Sequence, residues 1–234
     1  MKIDSYSIVH SGLSDIPEYV AALSDKQNLL AVSSGNRKGA SDLVIKSIKN
    51  IDLRVPSLIA SELETCFEKF HDIFHDADTQ VTTAGAIIDG ENLYFFNSGN
   101  ARSFLFSNGY MISHTDDHTV AYDEYRALFY DDMAAYDEMR YKKSRLELTR
   151  YLGDAGDCRP QFYPPIRLEK NHALLICTER FWRYLNTTEM ELDYRKAAGP
   201  EEWLKIMSRR VLMRANRELD EDNFAAVAAM VEDV

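Results

Sequence analysis

Cysteine, proline and glycine are scarce in this 234-residue chain, at 3, 6 and 10 residues. The cysteines, Cys66, Cys158 and Cys177, are irregularly spaced and odd in number, which suggests neither a disulfide framework nor a zinc knuckle. So little glycine and proline argues against collagen-like repetition and disorder. No basic-then-apolar leader is present, and the longest apolar run, residues 224–231, falls far short of the roughly 20 residues that span a bilayer. Positive charge is also in deficit. Lys and Arg number 27 against 38 Asp and Glu, for a net charge of −11, a field that opposes nucleic acid and anionic membranes. A cytoplasmic protein with no nucleic-acid or membrane partner is expected. What is present, 45% apolar and 28% charged residues, suits one sizeable core, so a single domain over residues 1–234 is expected.

Along the chain, residues 6–10 and 29–33 read as short strands. Between 58 and 74, Ile59, Leu63, Cys66, Phe67, Phe70 and Phe74 recur at helical spacing and predict an amphipathic helix. Residues 82–113 change texture, with short β-rich runs punctuated by Asp89-Gly90, Ser98-Gly99-Asn100 and Asn108-Gly109; this predicts an antiparallel meander of about four strands. The charged stretch 122–151 predicts one long or two shorter helices, and 174–177 a buried strand. Gly199-Pro200 followed by two acids opens another helix, with Arg209, Arg210 and Arg214 gathered toward its close. The run 224–231 reads as a terminal strand, although its alanines would also permit helix.

Taken in order, several segments resemble the metal-dependent serine/threonine phosphatases of type 2C, the PPM family. Ala31-Val32-Ser33-Ser34-Gly35 stands where that family has a strand followed by Asp-Gly. Thr82-Thr83 and the turn Gly99-Asn100-Ala101-Arg102 resemble its Thr-Thr strand and Gly-Asp-Ser-Arg turn. Asp117-His118-Thr119 is similar to its Asp-His-Ser, and Arg150-Tyr151-Leu152-Gly153 to its Arg-x-Leu-Gly. Leu174 through Trp182 resembles Leu-Leu-Cys-Ser-Asp-Gly-Leu-Trp, and Asp222-Asn223 matches the Asp-Asn before the last strand. The resemblance implies an α+β fold, a four-layer α-β-β-α sandwich with two central antiparallel sheets.

It also implies a chemistry for which ligands are short. Two Mn²⁺ or Mg²⁺ ions bridging a water require several anionic oxygens. Ser34 replaces the Asp-Gly aspartate, Glu179 replaces the aspartate of Ser-Asp-Gly and Arg180 its glycine. Asp222 is the unaltered match, so Asp222 and Glu179 are the candidate metal ligands. The family's N-terminal Arg-x-x-Asn-Glu-Asp has no counterpart; Asp15 and Glu18 lie in that region, and the first arginine is Arg37. The implied reading is a pseudophosphatase that engages a protein or phosphoprotein partner, with no cofactor at full occupancy. The alternative is an active Mn- or Mg-dependent phosphoprotein phosphatase whose metals are held by displaced acids such as Asp15, Glu18, Glu179 and Asp222. A third reading treats the resemblance as coincidence and leaves an acidic α/β interaction protein.

More local readings stand beside these. Asp222 could cap a turn, Glu179 and Arg180 could form a local ion pair, and Gly99-Asn100 could serve only as a hairpin turn. His71 and His75, four apart on the 58–74 helix, could share a metal, but no third ligand is evident and Asp72 stands where a zinc protease has Glu. Cys177 sits in a buried-strand context, where a thiol behaves as a small hydrophobe.

Overall fold

The computed structural model describes residues 2–12, 19–25, 29–51, 56–74, 78–128, 132–153, 158–218 and 223–233. Three strands, β1 (Lys2–His10), β2 (Tyr19–Asp25) and β3 (Leu29–Gly35), precede α1 (Ala40–Lys49) and α2 (Pro56–Phe74). On α2, Ile59, Leu63, Phe67 and Phe70 are buried at the spacing that puts them on one helical face. Two hairpins follow: β4 (Gln80–Asp89) with β5 (Asn92–Ser98), and β6 (Arg102–Ser107) with β7 (Tyr110–His114). The second turns through Asn108 and Gly109, both at positive φ, the geometry of a tight two-residue turn.

The charged stretch then forms α3 (Val120–Leu128), α4 (Met133–Glu138) and two 3₁₀ turns that end at Leu146. Three two-residue strands, β8 (Leu152–Gly153), β9 (Gln161–Phe162) and β10 (Ile166–Arg167), lead to β11 (His172–Cys177). The short α5 (Glu179–Trp182) is followed by α6 (Thr187–Lys196), which Asn186 and Glu189 close with reciprocal caps, and α7 (Pro200–Glu218). The last strand is β12 (Phe224–Asp233).

The strands make two sheets in which every pairing is antiparallel. One runs β1-β12-β11-β6-β7. The other runs β10-β5-β4-β3-β2, with β8 on β4 and β9 on β5. Alternation along the strands builds the layers. Leu174 and Ile176 of β11, with Ala225, Val227 and Ala229 of β12, face Leu30, Val32, Ala84 and Phe95 of the other sheet. The residues between them, Leu175, Cys177, Ala226 and Ala228, face Trp203, Met207 and Val211 of α7. On the opposite side Ala31, Val81, Ile87 and Phe96 pack under Val44 and Ile48 of α1 and Phe67 and Phe70 of α2. The result is the four-layer α-β-β-α sandwich that the sequence implied. Among the described residues no helix is long and apolar enough to cross a membrane.

Several expectations need correction. The 82–113 meander is two hairpins in different sheets: the chain changes sheet at Gly99–Ala101, which no local pattern announces. The stretch 122–151 forms the shorter pair of the two alternatives, α3 and α4, but is α-helical only to Glu138, beyond which the chain turns in 3₁₀ steps. The terminal strand expected over 224–231 is borne out as β12, whose alanines suit a strand sandwiched on both faces. Strand β2 and helices α1 and α6 were not foreseen.

Candidate functional site

Antiparallel register brings the starts of β6 and β12 and the end of β11, with the resembling segments they carry, together at one edge of the five-stranded sheet. Cys177, the last residue of β11, lies between Arg102, the first of β6, and Ala226 of β12. The chain leaving β11 and the chain entering β12 are therefore neighbours, clasped by Thr178: its N–H donates to Ala225 O at 3.0 Å, and Ala225 N–H donates to Thr178 Oγ1 at 3.1 Å.

A buried polar frame sits against this edge. The Arg102 guanidinium donates two parallel bonds of 2.7 Å to the Asp117 carboxylate, with both side chains almost fully excluded from water. It lies 3.4 Å from the Trp182 ring centroid and 4.6 Å from that of Tyr136, so its flat faces are covered by aromatic rings. Burial works against the charged guanidinium, but Asp117 outweighs it and holds the Arg102 pKa above its ordinary value. Trp182 Nε1 donates to Asn100 O at 2.8 Å and ties α5 to the turn.

His118 plays a matching part. Gly99 N–H donates to His118 Nδ1 at 3.1 Å, and His118 N–H donates to Gly99 O at 2.9 Å. Nδ1 is thus the bare nitrogen, and Nε2–H donates to Gln161 Oε1 at 2.8 Å. Burial lowers the His118 pKa, consistent with a neutral ring. Gly99 is needed here: its φ is +91°, and a Cβ would meet Thr82 Cγ2 at 2.4 Å. Arg102, Asp117 and His118 are structural members of the edge.

The positions where the resemblance implies metal ligands have a different character. Glu179, 7% exposed, accepts from Arg145 Nε at 2.8 Å, and Arg183 stands 3.9 Å away on its other oxygen. Arg180 reaches Asn223 and donates to its Oδ1 at 2.8 Å. Ser34 pairs with Thr82 in the β3–β4 ladder, and the turn beyond is closed by Asn36, whose side chain bonds Gln80 N and Asp78 O. Arg37 leans over the Phe74 ring at 4.9 Å.

Asp222, Asp15, Glu18 and His75 lie outside the described residues. His71 is described, and its Nδ1 is buried without a hydrogen-bond partner. Among the described residues no group of three or more His, Cys, Asp or Glu could hold a metal ion. The donors described here do not fit a pair of dications: the acid at the head of α5 is already matched to guanidinium groups. The Cys177 thiol is fully buried, and burial pushes its pKa well up. Sequence reasoning missed Arg145 and Arg183. The partner of Glu179 lies 34 residues upstream, and no local spacing links them.

The fold is the sandwich of the PPM-type serine/threonine phosphatases. The likeness extends over whole chains. PppA of Pseudomonas aeruginosa, described as a key regulatory component of T6SS, superposes with a TM-score of 0.81 at 14% identity, covering 98% of each chain. The PPM Ser-Thr phosphatase MsPP of Mycobacterium smegmatis, in complex with cacodylate, gives 0.78 at 19% identity, again over 98% of each. The catalytic domain of PstP in complex with 2 manganese ions gives 0.79 at 15% identity over 99% of each. In sequence, 173 residues, 68% of the chain, are 22% identical to Protein phosphatase 1B of Homo sapiens, and the match spans 35% of that protein's length. No family model matches the sequence.

Proposed function

We propose that this chain is a pseudophosphatase: a PPM-type sandwich, forming one domain, that serves as a protein-binding or regulatory module in the cytoplasm and does not carry out two-metal phosphate hydrolysis. The observation that supports it is the pairing of Glu179 with Arg145 and Arg183. A carboxylate whose charge is already matched by guanidinium groups is a weakened ligand for a dication. Ser34 offers a neutral hydroxyl where a bridging carboxylate would stand. Asp222 remains as an acid at the family position, and with Glu179 it makes the residual candidate ligand pair. If Mn²⁺ or Mg²⁺ did bind there, the ion would supply a Lewis acid and an acidified water.

The test is a Mn²⁺ titration by calorimetry coupled to phosphopeptide hydrolysis, with the native chain, Asp222→Ala and Glu179→Ala. The expected result is no metal binding at micromolar concentration and no Mn²⁺-dependent turnover in any of the three. Turnover in the native chain that vanishes in Asp222→Ala would establish the alternative, an active phosphatase with a displaced ligand set. The manganese in the PstP structure gives that alternative its standing.

A further inference from the structure

We infer that the C-terminal half of α7 and the turns packed beside it form a docking groove for an acidic peptide bearing a phosphate monoester, with the phosphate seated in an arginine pocket. This rests on reading the chain as a binding module. A cavity of about 420 Å³ is lined by Arg140, Arg145, Arg183, Arg214 and Arg217, and its one carboxylate is Glu218. A second cavity, of about 340 Å³, shares Arg214 and Arg217 with the first and adds Arg209 and Arg210. The two thus adjoin along the helix. In a chain of net charge −11 such a concentration of positive charge is local and specific.

The pairing in the groove is incomplete. Glu179 takes Arg145 and Arg183, Glu189 takes Arg214 and Arg210, and Asp193 takes Arg210 again. Arg140 keeps a buried NH1, and Arg210 a buried Nε, for which the described residues supply no acceptor. Buried donors without acceptors are rare and unfavourable, and each of the two belongs to an arginine that lines one of the cavities. An oxyanion seated against these guanidinium groups would supply the counter-charge that the lining lacks. Every cation in the two cavities is arginine and none is lysine, and the planar guanidinium fork matches phosphate and carboxylate oxygens two at a time. Met213, 60% exposed among these arginines, offers an apolar contact to a peptide side chain. An extended polyanion such as RNA would meet the acidic remainder of the surface, which favours a short segment.

The experiment uses the full chain with EDTA present and follows the fluorescence anisotropy of a labelled acidic phosphoserine peptide. Its unphosphorylated twin and inorganic phosphate serve as competitors, and Arg140→Ala and Arg217→Glu as variants. The phosphopeptide should bind about tenfold more tightly than its twin, each variant should weaken it by about tenfold, and added salt should weaken it in the native chain. Arg217 is exposed, so Arg217→Glu decides the matter if Arg140→Ala fails to fold. Binding indifferent to Arg217→Glu, free phosphate competing as well as the phosphopeptide, or RNA or anionic vesicles binding where the peptide does not would each overturn the inference. With EDTA present no metal chemistry contributes. Mn²⁺-dependent turnover would overturn the pseudophosphatase reading and leave this binding intact, and absent peptide binding would leave the metal result untouched.

Discussion

At the scale of single residues, the edge of the five-stranded sheet depends on a few positions that tolerate no substitute. Gly99 carries both a positive φ and a close approach to Thr82, so Gly99→Ala should cost about 1–3 kcal/mol in urea denaturation, from backbone strain and the clash together. Gly90 makes the useful comparison. It too has positive φ, but nothing lies within 4 Å of a Cβ built there, so Gly90→Ala should cost less, about 1 kcal/mol. Equal losses at the two sites would show that packing against Thr82 contributes nothing. Residue identity in the resembling motifs was legible in the sequence, including the replacement of aspartates by Ser34 and Glu179. What Glu179 does was not, because its partner arrives from a distant turn. A local pair with Arg180 was the natural alternative, yet the contacts that surround the two residues are Arg145 for one and Asn223 for the other.

At the scale of elements, apolar periodicity exposed the long helix, the β-rich hairpins and the terminal strand, since each carries its own repeat. Sheet membership was hidden. Strands β5 and β6 look alike in sequence, and only Gly99, with the frame that Arg102 and His118 build around it, diverts the chain from one sheet to the other. Strand β2 and the two-residue strands lacked a repeat long enough to read. The alanines of β12 have a use that propensity alone obscures. Ala226 and Ala228 are fully buried against Met207 and Val211 of α7, at positions where a sheet and a helix meet closely. Ala228→Leu should therefore destabilise the fold by about 1–3 kcal/mol through overpacking. Met213→Ala, on the opposite, exposed face of the same helix, should stay within about 0.5 kcal/mol. Guanidinium denaturation of both variants measures the contrast, and a stable Ala228→Leu would mean the α7 layer is looser than its contacts imply.

At the scale of the whole molecule, pH acts on three histidines whose pKa values burial lowers. Burial lowers the pKa of His114, which stacks on Tyr136 at 4.3 Å between ring centroids and stands near the Arg102 charge. Burial likewise lowers His118 and His172. In the unfolded chain these rings titrate near the ordinary value of about 6.5, so below that pH the unfolded state binds protons that the folded state refuses. Their contribution to stability is therefore complete above about pH 6.5 and is lost as pH falls through the lowered folded values. Glu189 acts in the same direction at lower pH. Burial alone would raise its pKa, but the Arg214 bond and the Asn186 N–H that its carboxylate accepts outweigh that and depress it, so the stabilisation it brings disappears as that carboxylate protonates. Partial protonation of the surface acids works the opposite way, since it relieves the repulsion of a net −11 chain. The two effects separate by mutation. His118→Asn keeps an acceptor for Gly99 N–H without a titrating ring, so its urea midpoint should fall less than that of the native chain between about pH 7.5 and pH 5.5. Identical slopes would mean that His118 titrates alike in the folded and unfolded chains, and the neutral ring assigned to it at the Gly99 turn would have to be abandoned.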